Sequence, residues 1–216
     1  MDYSASYATA ARDQTRSLFS HVMWLVAITV AVFALGCYAG RDLSTGWSIA
    51  WFIATIGCLI AMNFARRSSG GASVALLLLM GLFLGLAVGP AVAYYTTTSP
   101  QAVWQAAGAT ALFMAGFGAF GYATRRDLSV VGRISFFALV ALIIFAILLI
   151  FARIPGADLI YAVLGLVIFA GLTMWDFQRL RRSSDMVSAP LIAASIFLDA
   201  VNVFLFFLRI FSGSRD

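Results

Sequence analysis

The chain has 216 residues, of which 62% are hydrophobic and 11% are charged, and its net charge is +5. Soluble domains are nearer half apolar and a quarter charged, so the composition excludes an ordinary soluble protein. It predicts an all-α integral membrane protein whose surroundings are the lipid bilayer. The 14 cationic residues are all arginine and lie in short runs between apolar segments, which is typical of topology signals and not of a nucleic-acid site.

Residues 1–17 are small or polar and predict a cytoplasmic N-terminal segment, frayed or lying at the membrane interface. Seven later segments are long and apolar enough to cross the bilayer, which takes about 20 residues. They are predicted at residues 18–39, 46–65, 72–95, 101–124, 132–152, 156–176 and 187–210. The short connections predict antiparallel neighbours in a single bundle over residues 18–211, and only the seventh segment could instead enter the membrane and return.

The arginines predict the orientation of these spans. With a cytoplasmic N-terminus, ten arginines lie on the cytoplasmic side and four on the other. Since cytoplasmic loops carry the excess of basic residues, the N-terminus is predicted inside and the C-terminus outside. The first span is followed by no signal-peptide cleavage motif, and the short loops favour a bacterial inner membrane.

Small residues recur in the third and fourth predicted spans. Gly81, Gly85 and Gly89 are four residues apart, and Gly116, Gly118 and Gly121 follow in the next span. Such spacing lets helix backbones approach closely. Packing within a monomer is the favoured use, and dimerisation is the alternative.

Patterns typical of enzymes and metal sites are missing from the sequence. His21 is the single histidine, at the start of the first span, and is interpreted as a surface residue. Cys37 and Cys58 fall inside spans without metal-ligand spacing. No HExxH or GxSxG motif is present, so neither an enzyme nor a bound cofactor is expected.

Two aspartates lie in the last two apolar runs. Asp199 lies in the middle of the seventh, and Asp176 closes the predicted sixth. A carboxylate at mid-membrane depth costs roughly 2.5–3.5 kcal/mol on insertion scales, so it is a functional candidate. Ser195, Asp199 and Asn202 share one helix face and are candidates for lining an ion pathway.

Each aspartate has a simpler interpretation as well. Asp176 could lie at the interface beside the arginines that follow it, and Asp199 could make a structural hydrogen bond. If they meet, burial and like charge disfavour double ionisation, so the pair would share a proton and act as a proton sensor or weak cation site. Closeness would require the end of the sixth helix to turn inward. Arg66 and Arg67 are candidate counter-charges, whereas Arg209 lies about 15 Å beyond Asp199 along the helix, at the outer mouth.

These residues resemble a known family. MWDFQRL around Asp176 and IFLDAVNVFLFFLRIF after it are similar to the signature of the transmembrane Bax inhibitor motif family, which includes the bacterial YccA-like proteins. FARR, GLAVGPAVAYY and TRRDLSVVG agree with it as well. The resemblance covers nearly the whole chain from Leu18.

The resemblance implies six helices surrounding a central hydrophobic seventh, and a pH-sensitive calcium leak. It implies that Asp176 and Asp199 form the pH-sensing gate and a transient metal site. Arg67, or in the less favoured register Arg66, would exchange partners with the pair, and Arg209 matches the family's late arginine. Some relatives carry an acid in the second span that could pair with this arginine; TIGCLIAMN contains none, which argues against an outer ion lock.

The favoured hypothesis is therefore a leak channel for Ca²⁺, the permeant ion, gated by protons at Asp176 and Asp199. The alternative is a non-transporting regulator that binds a membrane protease or another membrane protein through its N-terminal segment and arginine-rich loops. A proton-coupled transporter is disfavoured because the sequence shows no inverted repeat.

Overall fold

The computed structural model describes residues 3–65, 70–151 and 156–213. In this part of the chain seven α-helices follow one another, each long and apolar enough to cross a membrane. The helices are α1 (Tyr3–Gly40), α2 (Thr45–Ala65), α3 (Gly70–Thr98), α4 (Pro100–Ala123), α5 (Ser129–Phe151), α6 (Ala157–Arg182) and α7 (Ala189–Gly213). The predicted all-α fold with seven spans is confirmed.

Most helix ends differ from the sequence prediction, and the differences in three helices bear on the fold and the site. α1 begins at Tyr3, so the polar N-terminal segment is helical and continues into the first span, which begins at Arg16. α6 continues to Arg182, six residues past the predicted end of its span. α7 follows a short 3-10 turn, Met186–Ser188, and runs unbroken for 25 residues, about 37 Å at 1.5 Å per residue. That length is sufficient for a full crossing of ~30 Å, so a re-entrant seventh segment is not what the chain forms.

The chain forms two compact units. Within the described residues, the first takes its members from Met1–Tyr94 and Arg179–Phe197, and the second from Tyr95–Gln178 and Leu198–Asp216. α1, α2 and α3 therefore belong to the first unit. α4, α5 and most of α6 belong to the second, together with the C-terminal part of α7.

In the first unit, α1 and α3 pack backbone against backbone. A methyl group added at Gly85 would overlap the Phe33 carbonyl, and one at Gly89 would overlap the Cys37 carbonyl. One at Gly36 would in turn overlap the Leu82 carbonyl. The predicted close approach at the regularly spaced glycines thus occurs inside one chain, as small residues permit in membranes.

In the second unit, an apolar core lies among α5, α6 and α7. Its buried members are Leu142, Ala162, Phe169, Leu172, Val203 and Phe206. The Phe206 ring lies against Gly165, where a side chain would collide with it. This packing holds the second half of α7 against α6 and positions the polar residues described next.

Burial is unequal among the described spans. In α7 and its preceding turn 56% of the most apolar window is buried, against 44% in α6 and 33% or less in the others. Such burial is expected of a helix with protein on most sides. The arrangement of six helices around a central seventh stays a prediction.

Candidate functional site

Asp199 is buried inside α7, with 5% of its surface exposed. Its Oδ2 accepts a hydrogen bond of 3.2 Å from the Thr173 hydroxyl of α6, and Thr173 itself is fully buried. A buried polar group costs free energy unless it is hydrogen-bonded. Thr173 therefore stabilises the carboxylate in its apolar surroundings and links α6 to α7.

Asp176 lies one turn after Thr173 on α6 and is 2% exposed. Residues three apart share a helix face, so Asp176 lies on the same face of α6 as Thr173, whose hydroxyl binds Asp199. The two carboxyl groups lie close enough to interact electrostatically. Because α6 continues for six residues beyond Asp176, the two acids come together inside continuous helices, without the inward turn that the sequence analysis required.

α4 also contacts this site, because Met114 lies against Thr173. The Thr173 oxygen lies 3.8 Å from the Met114 sulfur. A hydroxyl has one proton, and hydrogen bonds to a charged acceptor are the stronger ones, so an ionised Asp199 outcompetes the thioether. The Thr173 hydroxyl therefore brings contacts of α4, α6 and α7 together at one place. Thr173 and Met114 were missed by sequence reasoning, although the three-residue spacing from Asp176 could have indicated Thr173.

The residues on either side of Asp176 are held against α4 and α5 by glycines. A methyl group at Gly121 would overlap the backbone of Met174, and one at Gly118 would press on the Phe177 ring. On the α5 side, the Trp175 ring fills the space above Gly132. Asp176 is thus carried by a closely packed piece of helix.

Gln178 completes this attachment. Its amide is 1% exposed, and its Oε1 accepts a 2.8 Å hydrogen bond from the Leu128 backbone N–H. Its Nε2 donates a 2.7 Å hydrogen bond to the Arg126 carbonyl. Both partners lie in the connection between α4 and α5, so residues 174–178, here called the anchored segment, contact two helices and the loop that joins them.

Four further predicted site residues lie on the last helix and in the second connection, and two of them are described. Asn202 is half-buried, and its amide nitrogen donates a 2.8 Å hydrogen bond to the Leu198 carbonyl of its own helix. Ser195 is half-buried and belongs to the first unit. Arg66 and Arg67 lie outside the described residues.

Arg209 lies near the C-terminal end of α7 and forms an ion pair with an acidic residue of α6. Its guanidinium is 3.4 Å from a carboxylate oxygen of Asp158, in the first turn of α6, and 5.2 Å from the centre of the Tyr161 ring. These three residues line a cleft of about 330 Å³ with Ala146 and Leu149. The second span offered no acid, but the start of the sixth provides one, which the sequence analysis did not consider.

The carboxyl pair offers few ligands to a cation. Among the described residues, no three or more histidine, cysteine or acidic side chains are grouped as a metal site would require. Ca²⁺ takes six to eight oxygen ligands. Asp176, Asp199 and the Thr173 hydroxyl supply only part of that number, so these described residues do not by themselves form a complete Ca²⁺ site.

Seven apolar spans and a buried carboxylate pair define a polytopic α-helical membrane protein. A family model described as "Inhibitor of apoptosis-promoting Bax1" matches residues 15–216. The chain therefore belongs to this Bax inhibitor family, as the sequence resemblance predicted.

Several bacterial proteins are similar to the chain. It is 27% identical over 208 residues to the inner membrane protein YbhL of Escherichia coli K12, covering 92% of this chain and 86% of the relative. It is 31% identical over 213 residues to the protein YrjE of Lactococcus lactis, covering 94% and 78%. A protein of Borreliella burgdorferi is 29% identical over 213 residues, with 90% of each chain covered.

Proposed function

We propose that this protein is a pH-sensitive leak channel for Ca²⁺ in which Asp176 and Asp199 are the proton sensor and gate. The observation that supports the proposal is that two carboxyl groups buried in apolar helices are close enough to interact electrostatically, and that the Thr173 hydroxyl is hydrogen-bonded to one of them. Ionisable groups inside a membrane are costly and mark ion or proton pathways. Two such groups that interact titrate as a pair.

The gate would operate through the repulsion between the two acids. With one shared proton the pair carries a single negative charge, and the hydrogen bond from Thr173 holds Asp199 to α6. Without that proton, two negative charges adjoin in a medium of low dielectric constant and repel each other. Since the anchored segment fixes Asp176 to α4 and α5, the displacement would occur at α7. A Ca²⁺ ion passing the pair would compensate both charges and be bound weakly enough to leave again.

Two other observations support the proposed location and orientation of the channel. YbhL is an inner membrane protein, which supports an inner-membrane location here. The excess of arginines in alternate connections supports a cytoplasmic N-terminus. Arg67 is the proposed counter-charge, which would form an ion pair with one carboxylate when the two acids separate. Arg66 is the less favoured candidate for this role.

Ca²⁺ flux into proteoliposomes between pH 5 and pH 8 tests this function. The wild type should leak Ca²⁺ at a rate that changes across this range, and Asp176→Asn and Asp199→Asn should each abolish the change. Asp42→Asn, a control on a side chain that is 87% exposed, should behave as the wild type. The proposal fails if purified wild type carries no Ca²⁺, or if both site variants keep its pH profile.

One observation favours the alternative, a regulator that binds a membrane protease. α1 begins at Tyr3 and its span at Arg16, so roughly 20 Å of helix precedes the membrane and could receive a partner. In the same flux experiment a regulator would show no transport. Co-purification with a membrane protease that is lost on deletion of residues 1–15 would support this function.

A further inference from the structure

An open polar cleft lies on α1 at the point where the helix enters the apolar span. It has a volume of about 520 Å³ and is lined by Arg16, Ser17, Ser20, His21 and Trp24. All five side chains are exposed. None belongs to the carboxyl pair, so the cleft is independent of the proposed gate.

The order of these residues along α1 matches the layers of a lipid leaflet. Arg16, Ser20 and Trp24 are four residues apart and form one row on the helix surface, about 12 Å long. The cation and the hydroxyl come first, where the span begins, and the indole follows. Tryptophan is enriched at the membrane–water interface, which places Arg16 and Ser20 at the level of the lipid headgroups.

Below the cleft, the same side of α1 is exposed and apolar. Trp24, Ala27, Ala31 and Leu35 are all exposed and follow one another at helical spacing. Leu35 and Trp24 each expose 66% of their surface. This row gives an acyl chain a continuous surface that begins directly beneath the polar cleft.

We propose that the cleft binds the headgroup phosphate of an anionic phospholipid in the leaflet on the N-terminal side, with an acyl chain along the row from Trp24 to Leu35. Arg16 supplies the charge-assisted hydrogen bonds that phosphate oxygens favour, and Ser17, Ser20 and His21 supply further polar contacts. A zwitterionic lipid carries its own cation, which repels Arg16. Free phosphate lacks the acyl chain that the exposed row receives.

Lipid binding by the full-length protein, followed by native mass spectrometry, tests this site. Phosphatidylglycerol and phosphatidylcholine with identical acyl chains are compared on the wild type, Arg16→Gln and Arg41→Gln. Arg41 lies past the other end of α1 and contacts Asp42 at 3.2 Å, so it is a matched control for loss of an exposed arginine. One basic residue near a membrane surface contributes about a five-fold gain in binding of anionic lipid. We expect Arg16→Gln to lose about this much of its preference for phosphatidylglycerol over phosphatidylcholine. Arg41→Gln should lose none.

Further variants and a competition with inorganic phosphate complete the test. Arg16→Lys keeps the positive charge and should keep most of the preference, and Ser17→Ala/Ser20→Ala should lower it without removing it. Millimolar inorganic phosphate should leave the bound phosphatidylglycerol in place. An unchanged preference in Arg16→Gln, an equal loss in Arg41→Gln, or displacement of the lipid by phosphate would each overturn the proposal.

Discussion

The hydroxyl of Thr173 connects the two halves of the candidate site. It donates to Asp199 of α7 and lies on the same face of α6 as Asp176. Its methyl group completes a side chain with the shape of valine, so the hydrogen bond can be removed with little change in packing volume. Thr173 is therefore the residue at which the contribution of that bond can be measured by itself.

Thr173→Val should destabilise the protein by about 1 kcal/mol, the order measured for hydrogen bonds between membrane helices, because a buried carboxyl group loses its donor. Thr173→Ser should retain that interaction. Unfolding in SDS, followed by circular dichroism, measures the change. Thr110→Val is the matched control, since the buried Thr110 hydroxyl donates to a carbonyl of its own helix. A loss at Thr173 no larger than at Thr110 would contradict the assigned role.

The anchored segment of α6 is held by contacts with α4, α5 and the loop between them. Met174, Trp175 and Phe177 lie over glycines of α4 and α5, and Gln178 bonds the loop between those helices. A change in the charge of Asp176 therefore acts on a part of α6 that is held on several sides. Close packing of this kind is disturbed by even one added methyl group.

Gly121→Ala should destabilise the protein by about 1–3 kcal/mol, the usual cost of overfilling a packed interface, because the new methyl group overlaps the Met174 backbone. Gly116→Ala is the control on the same helix, because the added group meets no described atom within 4 Å apart from its chain neighbours and the nearby backbone of its own helix. It should leave the stability unchanged or raise it by up to ~1 kcal/mol, since alanine favours helices. Thermal unfolding in detergent compares the two, and equal effects would show that the glycine contact does not hold α6.

At the scale of the whole molecule, the number of spans and their positions along the chain were predictable, and the partners of individual side chains were not. Crossing a bilayer requires about 20 apolar residues, a demand that a sequence displays directly. α6 was predicted six residues too short because Arg179 and its neighbours resemble a membrane boundary, whereas a helix continues through the headgroup layer without apolar residues. Hydropathy located Asp176 and Asp199. It could not select Thr173, Gln178 or Asp158, because those contacts depend on which helix faces meet.

The orientation of the molecule stays a prediction that labelling can test. The excess of arginines predicts that the connection after α1 faces outward and the one after α6 faces the cytoplasm. In a background without Cys37 and Cys58, a membrane-impermeant maleimide should label Ser44→Cys in intact cells. It should label Ser184→Cys only after permeabilisation; both serines are exposed in the structure. The reverse pattern would contradict the predicted topology.

The composition of the first unit has a consequence for biosynthesis. Its helices α1–α3 leave the ribosome early, but its last part, Arg179–Phe197, is made only after α4, α5 and most of α6. At ~5–20 residues per second, this interval is on the order of ten seconds. During that time the glycine contacts of α1 and α3 can form, while surfaces that await the later segment stay uncovered in the nascent chain. A chain released before Arg179 would therefore leave the first unit incomplete.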